Sequence, residues 1–270
     1  MSDPEVVVAE DDGMEVEDLE ATEAAADQGD PSGLEDIEPT IAERVTFLDY
    51  LKSPIVELVI GQGDTATTLS AHQALLTQSP YFENAVQQFS GSSARRIDLP
   101  TDDVVAAASV LEYLYKADYF PILSGNALEY DPTVPSDDNE GVALLRHARV
   151  YTLAQRFGLP ALAGLAHKKI HFTNSNAKGE IAYARFVYKE TSPDDEAIRK
   201  PVAAFWASRS YVLRHEAEQE FKRMCLEFPQ FGFDVLSRVL DEQEKRSQRQ
   251  EASQSGAGAS GRKRQRMSGI

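Results

Sequence analysis

From Thr40 onward the apolar positions follow a helical period. Ile41, Val45, Leu48 and Leu51 fall on one face, and Thr40-Ile41-Ala42-Glu43 fits a capping box. The period then shortens. Ile55-Val56-Glu57-Leu58-Val59-Ile60 is a β-branched run that predicts a strand. Gly61-Gln62-Gly63-Asp64 supplies turn residues, and Ala66-Thr67-Thr68-Leu69 predicts the return strand of a hairpin. A short helix is expected over 71–77. Ser79-Pro80 places a cap before a proline at the first helical position, opening a helix with Tyr81, Phe82, Val86 and Phe89. Arg95-Arg96-Ile97-Asp98-Leu99 predicts a third strand, ended by Pro100.

The remainder has mostly helical spacing. Thr101 is expected to cap a helix with Asp102 and Asp103 in its first turn and Val104, Ala108, Leu111 and Tyr115 on its apolar face. Residues 120–141 show no sustained period and predict a long loop. A helix with Leu144, Leu145, Ala148 and Tyr151 stops at Phe157-Gly158, and Pro160 starts the next, with Leu162, Leu165, Ala166 and Ile170. Further helices are expected around Ile181, Ala184 and Tyr188; around Ile198, Val202, Phe205 and Trp206; around Val212, Leu213, Phe221 and Met224; and after Pro229, with Phe233, Leu236, Val239 and Leu240. The predicted class is α+β: a small sheet of short strands and a helical cluster, followed by an all-α extension.

Charge marks out the two ends. The first 40 residues contain 15 acidic and no basic side chains, out of a net charge of −17 for the 270-residue chain. Such a stretch cannot bury enough apolar surface to offset its ordering entropy, so residues 1–39 are expected to form a disordered acidic tail. Residues 242–270 are expected to be a disordered linker rich in Ser, Gly, Ala and Gln, ending in Arg262, Lys263, Arg264 and Arg266. That basic run fits a nuclear-import tag, which sets the expected localisation as the nucleus, or cytoplasm and nucleus. The opposite charges of the tails suggest that the acidic one masks the basic one.

Most chemistry sought in the sequence is absent or better explained by structure. Gly61-x-Gly63-x-x-Ala66 matches a dinucleotide fingerprint after an apolar strand. The residues that follow favour a strand, so a hairpin turn is preferred, and a dinucleotide-binding enzyme remains an outside alternative. His167 and His171 share a helical face but are too few for a zinc site; a cationic helix end is the plainer reading. Asp194-Asp195-Glu196 fits capping at a helix start. The single cysteine, Cys225, allows no internal disulfide and fits a reducing compartment. No apolar run approaches the roughly 20 residues of a membrane helix, no secretory signal core is expected, and the mildly acidic middle disfavours nucleic-acid contact by the folded part. No catalytic residue, metal or cofactor is assigned.

Three stretches, in order, resemble the BTB/POZ family over about residues 54–172. The first is Val56–Ile60 with Ser70-Ala71-His72-Gln73-Ala74-Leu75-Leu76 and Ser79-Pro80-Tyr81-Phe82; the second is Ile97-Asp98-Leu99-Pro100 leading to Leu114-Tyr115; the third is Tyr151-Thr152-Leu153-Ala154-Gln155-Arg156-Phe157-Gly158. Glu57 departs from the Asp often found early in the family's first strand, and the loop 120–141 is longer than in many members. The resemblance implies a BTB/POZ domain over 40–172, and 177–241 is similar to the helical extension of BTB proteins from filamentous fungi. It also implies a non-enzymatic interaction module that self-associates. Ile41, Val45, Leu48 and Leu51 then become the expected dimer surface. His72, Leu75, Ser79, Tyr81, Phe82, Leu114, Tyr115, Tyr151, Ala154 and Gly158 become signature residues with structural roles. Two settings follow: a scaffold in a nuclear complex, favoured by the charged tails, or a substrate adaptor docking on a cullin in a ubiquitin ligase. If the tails mask each other, deleting residues 1–38 changes localisation or partners in cells; unchanged imaging and copurification overturn that.

Overall fold

The computed structural model describes residues 46–90 and 94–258, and the account below concerns these. They form an α+β structure, mostly helical, with a small sheet. The first helix, α1 (Phe47–Lys52), leads into β1 (Ile55–Ile60). A single 3-10 turn at Gly63–Thr65 returns the chain to β2 (Thr67–His72), so a hairpin and not a helix follows Gly61. Then come α2 (Gln73–Leu76), α3 (Pro80–Gln87) and β3 (Arg96–Leu99). β1 is central, antiparallel to β2 and parallel to β3. Alternation sets the faces: Val56, Leu58, Ile60, Ile97 and Leu99 point into the core, while Glu57, Arg96 and Asp98 face water. Glu57 and Arg96 lie side by side in register, and Arg96 pairs with Asp98, so the β3 edge carries charges that discourage further strand pairing.

Helix α4 (Val104–Lys116) is capped by Asp103, which accepts from the Ala106 N–H at 2.9 Å. The cap expected at Thr101 therefore moves two residues on, because Asp102 and Asp103 are taken up by ion pairs with Arg156 and Arg149 of the next long helix. The loop after α4 holds a small hairpin, β4 (Leu123–Ser124) and β5 (Ala127–Leu128). Helix α5 (Val142–Arg156) packs on α4, on α6 (Pro160–His171) and on α7 (Ala177–Glu190). Its start is satisfied by Asp138, which accepts from the Val142 and Ala143 N–H groups at 2.6 and 3.0 Å. Gly141 has φ +70°, and a Cβ there would sit 2.7 Å from the Gly179 carbonyl; this glycine lets α5 and α7 approach backbone to backbone.

The last helices are α8 (Glu196–Glu216), α9 (Glu218–Glu227) and α10 (Pro229–Gly258). They meet around fully buried Trp206, which stacks on Phe221 and meets Phe231 edge-on, with centroids 5.4 and 6.0 Å away. Ile198, Val202, Phe205 and Trp206 share α8 as expected, with Pro201 inside the helix. Two sequence expectations shift here. Val212 and Leu213 close α8 instead of joining Phe221 and Met224, which belong to α9. α10 runs on to Gly258 through residues expected to be a linker; its side chains from Leu240 to Ala252 are exposed, so i,i+4 pairs such as Gln248 with Glu244 accompany it rather than core packing.

Beneath the loop after α4 lies a charged interior cluster. Lys169 of α6 is fully buried. Its ammonium donates to Asp118 at 2.6 Å, to the Pro121 carbonyl at 2.9 Å and to the Tyr119 carbonyl, and lies 3.9 Å from the Tyr119 ring centre. Every proton is used, as burial of a charge requires. The Tyr119 hydroxyl reaches His147 Nδ1 at 2.8 Å. Burial, with the Lys169 and Arg146 charges, drives the His147 pKa from 6.5 down to about 3. The folded state therefore refuses a proton that the unfolded chain accepts below pH 6.5, so stability present above 6.5 is lost as pH falls toward 3. Replacing His147→Gln keeps a partner for Tyr119. Urea titrations should then show a stability–pH slope shallower by up to about 1.4 kcal/mol per pH unit in that window; equal slopes contradict it.

Candidate interaction surface

The signature residues are drawn together mainly for folding. Ser79 caps α3 and is fully buried; its hydroxyl donates to the Phe157 carbonyl at 2.6 Å and accepts from the Phe82 N–H. Tyr81, Phe82 and Phe157 form one aromatic cluster with centroids 4.6–5.2 Å apart. Gly158 has φ +69°, and a Cβ there would press on the Pro80 ring at 3.1 Å. His72 ends β2, with Nδ1 2.7 Å from the Tyr115 hydroxyl, while its N–H donates to the same oxygen at 3.1 Å. Leu75, Leu114 and Ala154 are buried in the core. The Tyr151 hydroxyl donates to Asp195 at 3.1 Å, and the Gln155 amide donates to the same carboxylate at 2.9 Å. Burial and the Asp195 charge raise the Tyr151 pKa to about 12, so it stays a donor. Asp195 therefore ties α8 to α5, and its side chain caps no helix N–H, contrary to the capping reading.

One other expectation is modified. His171 lies in the last turn of α6 beside Lys168, but burial and neighbouring His167 lower its pKa below the ordinary 6.5, which disfavours the charge that a cationic helix end would carry there. The two imidazoles meet edge-on, centroids 4.6 Å apart. Among the described residues no group of three or more His, Cys, Asp or Glu is placed to hold a metal. Cys225 is half-buried, and burial pushes its thiol pKa up, away from the reactive thiolate.

The surface that folding leaves unfinished is α1. Thr46 is its N-cap, in extended backbone, so the helix begins at Phe47 and does not run unbroken from Ile41; Ile41 and Val45 lie outside the described residues. Thr46 and Asp49 close a reciprocal capping box: the Thr46 N–H donates to the Asp49 carboxylate at 2.8 Å and the Asp49 N–H donates to the Thr46 hydroxyl at 3.4 Å. These bonds hold the exposed Asp49 carboxyl below its usual pKa. The C-terminal end is pinned by Ser53, whose hydroxyl donates to the Tyr50 carbonyl and accepts from the Ala74 N–H of α2. The helix is thus fixed in place, yet no residue of it is buried. Phe47, Leu48 and Leu51 are 54%, 57% and 42% exposed, and Ile55 at the start of β1 is 49% exposed. Leu48 and Leu51 are the described half of the predicted dimer stripe; Phe47, one turn before Leu51 on the same helix, and Ile55, on the strand that follows, are further exposed apolar side chains. Phe47 was missed because it falls off the stripe that Ile41 begins, and Ile55 because alternation assigns it to a sheet face without saying what covers that face.

A second exposed apolar row lies on the helical extension: Phe233, Leu236 and Leu240 of α10, with Leu226 of α9. The first three are spaced i, i+3, i+7, one face of a helix whose opposite side buries Phe231 and Val235. The basic run Arg262, Lys263, Arg264 and Arg266 and residues 1–39 lie outside the described residues. Among the described residues no helix is long and apolar enough to cross a membrane. No protein-family profile and no characterised protein sequence matches the chain.

Proposed function

We propose that this chain is a non-enzymatic protein-interaction module of the BTB/POZ kind that pairs with a second copy of itself through α1. The observation that carries the reading is the set Phe47, Leu48 and Leu51, exposed on a short helix that is capped at its start and tied to α2 at its end, with Ile55 exposed at the start of the strand that follows. An apolar face left on a fixed element favours a partner, because covering it returns about 25 cal/mol for each Å² removed from water and costs little ordering entropy. The order of elements supports the family reading: a hairpin, the Ser79-capped helix, a strand parallel to β1, and the α5–α6 pair closed at Gly158. The acidic first 40 residues and the basic run near the end favour a scaffold in a nuclear complex. A second reading, a substrate adaptor of a cullin-based ubiquitin ligase, draws on the Phe233–Leu236–Leu240 row, which offers a client surface on a different element, α10.

Light scattering at micromolar concentration should give twice the chain mass, and the double substitution Leu48→Glu and Leu51→Glu should give a single chain mass. Loss of two central apolar contacts costs about 2–4 kcal/mol of pairing, a factor of roughly 30–1,000 in affinity. Both side chains are exposed, so the far-ultraviolet circular dichroism spectrum of the native protein should not change, whereas its melt should lose the stabilisation that pairing gives. A single-chain mass for the parent overturns the pairing. Affinity purification from the native cells separates the two settings: stoichiometric cullin supports the adaptor, and nuclear complex subunits without it support the scaffold.

A further inference from the structure

A cavity of about 280 Å³ lies among α5, α6, α7 and α8, remote in sequence from α1. Glu180 of α7 lines it and is only 8% exposed. Its carboxyl has no hydrogen bond or ion pair with any described residue, although a buried acid ordinarily has one. Burial raises its pKa to about 7, partly offset by the Arg209 charge. Arg209 of α8 also lines the cavity and is exposed toward solvent; its guanidinium rests 4.4 Å from the Phe205 ring centre and forms no ion pair among the described residues. A third wall carries His167, whose Nε2 is buried without a partner. Apolar surface from Leu144, Ile170 and Val202 completes the lining.

The cavity therefore presents an acid and a base that do not satisfy each other. A simple cation would suit Glu180 but be repelled by Arg209, and a simple anion would meet the reverse. We propose that this cavity binds a small zwitterion, with its ammonium group on Glu180, its carboxylate on Arg209 and an apolar body against Leu144, Ile170 and Val202. An α-amino acid with an apolar side chain has that chemistry. The ammonium supplies the donors that Glu180 lacks, and the carboxylate supplies the acceptors that Arg209 lacks. This inference is independent of pairing through α1, since the lining residues lie outside that surface.

The test uses the full chain at about pH 8, where Glu180 is ionised. The probes are L-leucine, isopentylamine, which lacks the carboxylate, and 4-methylpentanoate, which lacks the ammonium. At roughly 10 mM, L-leucine should raise the unfolding temperature, and calorimetry should show each half-ligand binding at least about tenfold more weakly. Glu180→Gln and Arg209→Gln should each weaken L-leucine by about tenfold or more. Arg209 is exposed, so the unliganded Arg209→Gln protein should melt as the parent does, which separates lost binding from lost folding. No effect of L-leucine, half-ligands that bind as well as it does, or undiminished binding by both variants would each overturn the proposal.

Discussion

One buried hydrogen bond joins the sheet end of the molecule to its helical end: the Ser79 hydroxyl on the Phe157 carbonyl, made across 78 residues of chain. It works because three local requirements coincide. Ser79 must cap α3, Pro80 must open it, and the α5–α6 turn must adopt the left-handed backbone at Gly158 so that it can lie against the Pro80 ring. The Tyr81, Phe82 and Phe157 rings then fill the space around the bond, and the Arg156 guanidinium covers the Phe157 ring at 4.9 Å. Losing the serine hydroxyl would leave a buried carbonyl and a helix N–H without partners together, an outcome that is costly at an inaccessible site.

Once α3 and α5 are keyed, the remaining polar interior settles around them. Lys169 holds the chain after α4 through two carbonyls and Asp118, and Asp195 is gripped by Tyr151 and Gln155 to bring in α8. Arg199 plays the matching part at the end of α7, donating to the Tyr188 and Thr191 carbonyls. These bonds satisfy much of the buried polar surface along α5 and α6, though Arg146 Nε and His167 Nε2 stay buried without a partner among the described residues; the apolar faces of α4 to α8 are buried among one another. Two rows of large apolar side chains remain outside this core, on α1 and on α9–α10. The functional proposal follows from that remainder: among the described residues nothing buries the face of the short helix α1.

How much of this was legible in sequence depended on distance along the chain. The β1–β2 hairpin, the Ser79-Pro80 start and the Phe157-Gly158-Pro160 stop are local signals, and each falls where it was expected. The start of α4 was misplaced because the choice between Thr101 and Asp103 rests on Arg149 and Arg156, about 50 residues away. α8 crosses Pro201 because buried Ile198, Val202 and Trp206 hold both sides of it. Glu180 and Arg209 carry no sequence signal: their separation, 29 positions on two helices, has meaning only once α7 and α8 stand side by side.

The central claim is that two copies meet at α1, and a distance measurement tests it most directly. Lys52 ends α1 and is exposed, so a nitroxide at Lys52→Cys, with Cys225→Ser to remove the native thiol, marks the helix without occupying its apolar face. Pairing through α1 predicts a dipolar signal between copies at a separation under about 30 Å, since neighbouring helices are only 10–12 Å thick. It also predicts that the signal disappears when Leu48→Glu and Leu51→Glu are added. Absence of any dipolar coupling at micromolar concentration, or coupling unaffected by those two charges, would contradict the account.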